Sequence, residues 1–255
     1  MILVTHLPFG MHLIDRTRDD PRRDFLIKAL MLTSGIGGLQ VPAWAQSVFG
    51  ARPAQLPAGQ SIYSIDGQVT VNAAPATLTT PIAPGDTVKT GDNSQVIFVV
   101  GGNSMILRAN SEITVGGGKK EDGAFFVSAL RMLTGKVLSV SQAQPMQVQS
   151  ATATIGIRGT GFYLESDPEL SYFCTCYGVT DVASNVDPNQ RETVTASHHD
   201  RPLVITNQGG AGDAIRTAGF RSHTDQELML IETLVGRNVP FVFPGGSGRS
   251  GGRGY

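Results

Sequence analysis

The two cysteines of the chain, Cys174 and Cys176, are the residues best placed by type and spacing to do chemistry; they lie in the segment LSYFCTCYGVTDV. On a β-strand, residues i and i+2 point to one face, with their Cα atoms about 6.6–6.8 Å apart. That separation is at the upper limit for a disulfide, so a bridge between these cysteines is expected to be strained and easily reduced. Both sulfurs can instead reach a single metal ion.

Histidines are the natural source of the remaining ligands. Two nitrogens would complete a Cys₂His₂ set for zinc, or a copper site. The candidate ligands are His198, His199 and His223. The spacing matches no common zinc motif, so the fold has to bring the histidines to the cysteines.

Three roles therefore stay open for the cysteine pair: structural thiols or a disulfide, metal ligands, and a redox or intermolecular role. The cofactor prediction stays open in the same way, between none and zinc or copper.

The run Ser197-His198-His199-Asp200 contains the residue types of a catalytic triad. Neighbouring residues on a strand face opposite ways, so four consecutive residues do not form one. We expect an exposed turn there, ahead of Arg201-Pro202. The sequence also has no CxxCH motif for covalent haem. It predicts a protein that is not an enzyme.

The elements that must position these residues are short strands. From residue 60 to 165, apolar runs alternate with turn residues at intervals near ten. This spacing predicts an all-β fold, a β-roll, solenoid or sandwich of short strands. The stretch 125–133 is compatible with a strand or a helix, and the Gly-rich stretch 116–123 is expected to be a polar hairpin tip or surface loop.

One helix is predicted near the C-terminus. Thr224 and Glu227 have the spacing of a capping box, in which each side chain bonds to the other residue's backbone amide. The apolar positions that follow predict an amphipathic helix at about 225–236, docked on the sheet.

The N-terminal residues are typical of an export signal. Arg22 and Arg23 precede a short, mildly apolar stretch that ends at Ala43-Trp44-Ala45, a small-x-small cleavage site. Paired arginines before a weakly hydrophobic segment resemble a Tat signal. The stretch is too short and too Gly-rich for a permanent membrane span, which needs about 20 apolar residues. We expect a periplasmic or secreted protein.

Charge argues against nucleic acid as a partner. The chain has 20 Lys and Arg against 21 Asp and Glu, a formal net charge of −1. Cleavage after residue 45 would leave 15 basic and 17 acidic residues, because the first 45 residues hold five and four. Nucleic-acid-binding surfaces usually show a clear basic excess.

A set of turn and strand motifs occurs in a fixed order through the middle of the chain. They are GQVTV (67–71), IAPGDTVKTGD (82–92), SQVIF (94–98), SEITV (111–115), LTGKV (133–137) and TATIGIRGTGF (152–162). In this order they resemble the FecR-type domain of bacterial envelope proteins, over about residues 60–180. The motif residues are Gly85, Asp86, Gly91, Asp92, Gly135, Arg158, Gly159, Thr160 and Phe162.

Arg158 has two open roles within these motifs. Its guanidinium can fork onto a carboxylate or carbonyl groups and hold the turn together, or it can bind a ligand.

The resemblance implies a periplasmic domain that binds partners or relays a signal, with no catalytic residues. In the founding context such a domain follows a cytoplasmic anti-sigma segment and a membrane helix, and it senses a loaded outer-membrane iron transporter. Here an export signal takes the place of the anchor, and about 20 residues precede it. We therefore expect a binding, signalling or scaffold module with an envelope protein as partner, rather than direct sigma-factor control.

Two other functions are open. One is a metal-binding or redox protein that uses the Cys174/Cys176 pair, since Tat export often carries proteins folded around cofactors. The other is a subunit of a surface assembly joined through exposed edge strands.

The predicted organisation has five parts. These are a signal at 1–45, a linker at 46–59, the FecR-like domain at 60–182, an extension at 183–243 that carries the helix, and a disordered Gly-rich tail at 244–255.

Overall fold

Fourteen strands and one helix make up the described part of the chain. The structure is a computed structural model, and it describes residues 54–142, 144–208 and 212–241. The predicted signal residues Arg22, Arg23, Ala43 and Ala45, and the tail at 244–255, lie outside these residues. The all-β prediction with one helix near the C-terminus is confirmed.

The elements, in chain order, are β1 (Ile62–Asp66), β2 (Val69–Val71), β3 (Ala74–Pro75), β4 (Thr87–Thr90), β5 (Gln95–Val100), β6 (Asn103–Leu107), β7 (Glu112–Lys119), β8 (Phe125–Val140), β9 (Pro145–Gln149), β10 (Ala153–Ser166), β11 (Leu170–Ser184), β12 (Arg191–Ala196), β13 (Leu203–Thr206), β14 (Ile215–Thr217) and α1 (Asp225–Leu234).

All fourteen strands belong to one sheet. Its main path runs β14-β13-β11-β10-β9-β8-β7-β4-β2-β3, and β1, β5 and β6 branch from β8 while β12 pairs with β11. The pairings are antiparallel except for β8 with β9, which is parallel. The ambiguous stretch 125–133 is a strand, part of β8. The Gly-rich stretch 116–123 is the end of β7 and the hairpin turn that follows it.

Three long strands, β8, β10 and β11, change neighbours along their length. β8 pairs first with β7 and then with β6, and the change comes next to Gly135. β10 pairs first with β9 and then with β8, across a register shift between Arg158 and Gly161. Gly135 and the motif at 158–162 lie at these points, where bulges and glycines commonly bend a strand.

The sheet buries apolar side chains on both faces. Phe162 and Phe173 belong to one buried cluster, with Phe98 and Val137. Their neighbours in sequence, Tyr163 and Cys174, belong to a second cluster. Because successive side chains of a strand point to opposite faces, the two clusters lie on the two sides of these strands.

The helix α1 covers the second cluster. The Thr224 side chain accepts from the backbone of Glu227, and the Glu227 side chain accepts from the backbone of Thr224, so the predicted capping box is present. The helix ends at Leu234, two residues before the predicted end. Leu228 and Ile231 are fully buried against the sheet. The docked helix is thus part of the fold's own core.

The residues after β11 extend the same sheet. β12 and β13 both pair with β11, along its two halves, and β14 pairs with β13. Within the described residues, no helix is long and apolar enough to cross a membrane.

Candidate metal centre

The motif residues Gly85 and Asp86 build a turn in which both carboxylate oxygens of Asp86 are paired. The Asp86 carboxylate accepts from the backbone amide of Ala83 at 2.8 Å and from the side-chain amide of Asn72 at 2.7 Å. Gly85 has φ +103°, a conformation that favours glycine. This turn has a structural role, because the Asp86 side chain forms its hydrogen bonds with other residues of the same chain.

Three further motif residues also have structural roles: Gly91, Asp92 and Gly135. Gly91 donates its amide to Gln68 O, and Asp92 O accepts from Ser94 Oγ at 2.8 Å. Gly135 has φ +107°, and a Cβ there would lie 2.2 Å from Ser111 Oγ. The close approach of the backbone at residue 135 to Ser111 requires glycine at that position.

The last motif, Arg158 to Phe162, is stapled across the β10–β11 pair. The Arg158 guanidinium forms an ion pair with Asp181 on β11. The backbone of Thr160 pairs with Ser141, and Phe162 stacks on Phe173 with ring centroids 5.7 Å apart. Of the two roles predicted for Arg158, these contacts favour the structural one.

Cys174 and Cys176 lie on β11, two residues apart and on the face that α1 covers. Both are free thiols, and both have no solvent exposure. The alternation of side chains along β11 places the sulfurs on one side, as the CxC spacing predicts.

Two histidines reach these sulfurs from other segments. His199, in the turn after β12, has Nδ1 3.6 Å from Cys174 Sγ. His223, just before the N-cap of α1, has Nε2 3.3 Å from Cys176 Sγ. The two nitrogens are 3.1 Å apart, and all four ligand atoms lie within 4.8 Å of one another. The structure thus brings together four of the five residues predicted as ligands.

His198, the fifth, is not part of this group and binds Asp225 of the helix instead. Its Nε2 lies 3.0 Å from both carboxylate oxygens of Asp225. His199 binds the same carboxylate through its own Nε2, at 2.9 Å. The side chain of His198 is 45% exposed, against 8% for His199.

Asp225 is the residue of this site that the sequence did not reveal. It occupies the first turn of α1, where an acidic residue is expected simply for its effect on the helix N-terminus. Its 26-residue separation from His199 gives no periodic signal. Only the docking of α1 shows that it orients both histidines of the turn.

The electrostatics of the cluster favour a negatively charged sulfur. The pKa of Cys174 is lowered to about 4, chiefly by the hydrogen bond from the Cys176 thiol and further by His199 and His223, against the effect of burial. Burial raises the pKa of Cys176 well above its usual value. Burial also acts to lower the pKa of His199, but the hydrogen bonds to Cys174 and Asp225 outweigh it and raise that pKa.

The carboxyl group of Asp225 follows the same pattern. Burial acts to raise its pKa, but the hydrogen bonds from His199 and His198 outweigh burial and lower it. The carboxylate therefore stays ionised beside the two imidazoles.

Cys174, His199 and Asp225 also have the order of a thiol–imidazole–carboxylate triad. A nucleophile must be reachable by its substrate, however, and Cys174 is fully buried beneath α1 and the residues before it. Ser197 Oγ bonds Asp200, at 2.9 Å, rather than a histidine. Cys174 is therefore enclosed in the structure, and among the described residues Ser197 is not hydrogen-bonded to a histidine.

Ion pairs and hydrogen bonds fasten α1 over the cluster from both ends. At its start, Arg108 donates to Glu227 Oε1 at 2.9 Å. At its end, the buried Glu232 accepts from the Tyr177 hydroxyl and from Arg237 Nε. His223 and Asp225 are thereby held at fixed positions relative to β11.

Comparison with known families identifies the middle of the chain. Residues 86–175 match the family described as FecR protein. The predicted resemblance to FecR-type domains is confirmed for this segment, which includes β4 to β10 and the first part of β11. Cys174 lies at the end of the matched range, whereas His199, His223 and α1 lie beyond it.

Two crystal structures of a chain described as "a putative anti-sigma factor from Parabacteroides distasonis ATCC 8503" are similar to part of this protein. Each is 13% identical and covers 52% of this chain and 58% of the other, with TM-scores of 0.41 and 0.40. The match spans less than two thirds of that chain. The comparison with curated proteins gave no match.

Proposed function

We propose that this protein is an exported, noncatalytic FecR-type module that binds an envelope protein and serves in signalling or as a scaffold. The observation that carries the proposal is the FecR match over residues 86–175. The order of motifs extends the resemblance to about 60–180, and the predicted export signal supports a place in the periplasm or outside the cell.

The side chains of the motif residues support a binding role rather than a catalytic one. Asp86 and Arg158 are both engaged by neighbouring groups of the fold. The nucleophilic sulfur of Cys174 is enclosed. A surface that recognises a partner is therefore the function that fits this segment best.

An exposed pair of aromatic residues offers a partner surface on the FecR-type segment. Phe125 and Phe126 open β8, at the tip of the β7–β8 hairpin, and are 38% and 36% exposed. Aromatic side chains are enriched in protein–protein interfaces. We expect this hairpin tip to contact the partner.

Photo-crosslinking in the periplasm tests the proposal. A photoreactive phenylalanine analogue at Phe125 is expected to give one discrete adduct with an envelope protein. The same analogue at Val186, an exposed residue of the loop after β11, is the matched control and is expected to give none. The absence of envelope-protein adducts from both positions, or turnover of a substrate by the pure protein, would overturn the proposal.

Export is tested separately with a charge-conserving change. Replacing Arg22 and Arg23 by lysine retains both positive charges but removes the twin-arginine motif. We expect the variant to stay in the cytoplasm, while the unchanged chain is recovered from the periplasm or medium. Equal export of both would exclude the Tat signal.

A further inference from the structure

We propose that Cys174, Cys176, His199 and His223 bind one Zn²⁺ ion in a closed tetrahedral site that fastens the start of α1 to β11. The proposal goes beyond the binding function proposed above and does not depend on it. It rests on four observations: the spacing of the ligand atoms, the partners of the histidine nitrogens, the enclosure of the site, and its charge.

Three of the six separations between the ligand atoms are close to those of a tetrahedral zinc site, and all six are within 4.8 Å. Zinc bonds of about 2.0–2.1 Å to nitrogen and 2.3 Å to sulfur put two nitrogens about 3.3 Å apart, and a nitrogen and a sulfur about 3.5–3.6 Å apart. The corresponding separations here are 3.1 Å between the histidine nitrogens, 3.6 Å for Cys174 with His199, and 3.3 Å for Cys176 with His223. Small side-chain shifts suffice to admit the ion.

The outward nitrogen of each histidine already has an acceptor. His199 Nε2 faces the Asp225 carboxylate at 2.9 Å, and His223 Nδ1 faces Arg221 O at 2.9 Å. An ionised carboxylate and a carbonyl can only accept, so both of these nitrogens carry protons. Metal-bound histidines are oriented in this same way by their second nitrogen.

When both imidazoles are neutral, the inward nitrogen of each carries a lone pair, and these nitrogens lie close to each other and to the two sulfurs. In the metal-free chain, protons must occupy the space between these four atoms. A single cation at the centre satisfies all four at once and releases those protons, as metal binding to thiols and imidazoles does.

Three of the four ligands are buried, and the fourth, His199, is partly buried with a side chain 8% exposed. Cys174 and Cys176 have no exposure and His223 is 3% exposed. The Tyr163 ring stacks on His223 at 4.6 Å between centroids, and Phe220 lies against both histidine rings. Four protein ligands with no open position are typical of structural zinc rather than catalytic zinc.

Charge selects a divalent ion. Two thiolates and two neutral imidazoles around Zn²⁺ give a neutral core, which suits a buried site. A monovalent ion such as Cu⁺ would leave one negative charge buried beside the Asp225 carboxylate. The ligand set accommodates both metals, so charge is what favours zinc.

The ligands come from three separate segments of the chain. Cys174 and Cys176 lie on β11, His199 lies in the turn after β12, and His223 precedes the N-cap residue Thr224. An ion shared among them would hold the entry to α1 against the sheet, and its binding free energy would contribute to folding.

The test uses the full chain, reduced and freed of metal by a chelator, then titrated with Co²⁺ and Zn²⁺. We expect one Co²⁺ per chain, with the intense visible absorption of a tetrahedral ion and a thiolate-to-cobalt charge-transfer band, both abolished by one equivalent of Zn²⁺. The absence of stoichiometric binding with both thiols reduced would overturn the site. Binding without the charge-transfer band would overturn the thiolate ligands.

Adjacent histidines provide the matched pair of variants. His199→Gln removes a proposed ligand, whereas His198→Gln removes a neighbour that shares Asp225 but is not among the four grouped ligands. We expect the first to weaken Zn²⁺ binding at least 100-fold and the second to change it by less than about tenfold. Equal effects of the two changes would contradict the assignment.

Two further outcomes would also contradict the proposal. A Cys174–Cys176 disulfide in protein taken from the periplasm would exclude metal binding there. Tight binding of Cu⁺ without binding of Zn²⁺ would exclude zinc as the ion of this site. Circular dichroism of each variant shows whether it is folded, and the cobalt spectrum of the unchanged chain tests the site even if a variant does not fold.

Discussion

The Asp86 turn and the cysteine–histidine cluster both concentrate polar atoms, but they satisfy them in opposite ways. At the turn, each oxygen of the Asp86 carboxylate faces a nitrogen donor, from Ala83 or Asn72. In the cluster, the inward nitrogens of His199 and His223 face each other at 3.1 Å. The carboxylate of the turn is satisfied within the fold, whereas the four atoms of the cluster share one space, which is the basis for proposing a cation there.

The two features also differ in which part of the chain supplies them: the Asp86 turn lies within the segment matched to FecR protein, whereas most of the cluster lies after it. The segment matched to FecR protein ends at residue 175, and it supplies one ligand, Cys174. The other three proposed ligands and the helix that encloses them come from later residues. In the proposed site, the segment matched to FecR protein would therefore supply one wall, and the C-terminal segment would complete it.

Among the tests of this comparison, removal of the proposed metal is expected to lower the free energy of unfolding most. Zinc at about 1,000 times its Kd would stabilise the folded chain by about 4 kcal/mol. For a domain of this size, that corresponds to about 8–16 °C in Tm. Calorimetry with and without chelator measures the difference, and identical Tm values would contradict a zinc site that contributes to folding.

Glycine substitutions test the structural half of the comparison. Gly135→Ala should destabilise the fold by about 2–4 kcal/mol, because it combines strain at positive φ with a clash against Ser111. Gly85→Ala is the matched control: its φ is nearly the same, +103° against +107°, but nothing lies within 4 Å of the added Cβ. We expect about 1 kcal/mol for it.

Urea unfolding of both variants gives the two values. Equal losses would show that backbone conformation, and not the close approach to Ser111, accounts for the need for glycine at position 135.

Removing the charge of Asp225 sharpens the site half of the comparison. Asp225→Asn keeps the shape of the side chain but weakens the hydrogen bond that orients His199, so Zn²⁺ affinity should fall by about 10–100-fold. Competition with a chromophoric chelator measures the affinity. Asp200→Asn, in the same turn but bonded to Ser197, is the control and should leave the affinity unchanged.

The Arg158–Asp181 pair is expected to have the smallest effect. Arg158→Ala should cost less than about 1 kcal/mol, because both side chains are well exposed, at 64% and 40%. The pKa of Asp181 is lowered, first by the hydrogen bond from Thr193 and then by Arg158.

The contribution of the Arg158–Asp181 pair should therefore be present above the unfolded pKa of Asp, about 3.9, and disappear as the pH falls below it. Unfolding curves at neutral and acidic pH check this. If Arg158→Ala lowered the free energy of unfolding by several kcal/mol at neutral pH, Arg158 would contribute more than this exposed ion pair between β10 and β11.

Local patterns predicted much of the fold. The capping box placed the start of α1 correctly at Thr224, and the turn residues indicated short strands through the middle of the chain. The stretch 125–133 stayed ambiguous between strand and helix because its apolar residues do not follow a clear two-residue alternation. Its state is decided by pairing with β7, which the sequence does not show.

The site was predictable as a set of residue types but not as a geometry. The CxC spacing places both sulfurs on one face of a strand, and the structure agrees. No pattern distinguishes His199 from His198, because the choice depends on how a turn after β12 folds against α1. Asp225 was missed for the same reason: its role comes from the docking of the helix, 26 residues away.

The most direct test of the metal site is the zinc content and thiol reactivity of the chain purified from the periplasm without added metal. The account predicts one zinc per chain, with Cys174 and Cys176 protected from alkylation until a chelator removes the ion. A chain without metal, whose two thiols are bridged or react equally fast with and without zinc, would contradict it.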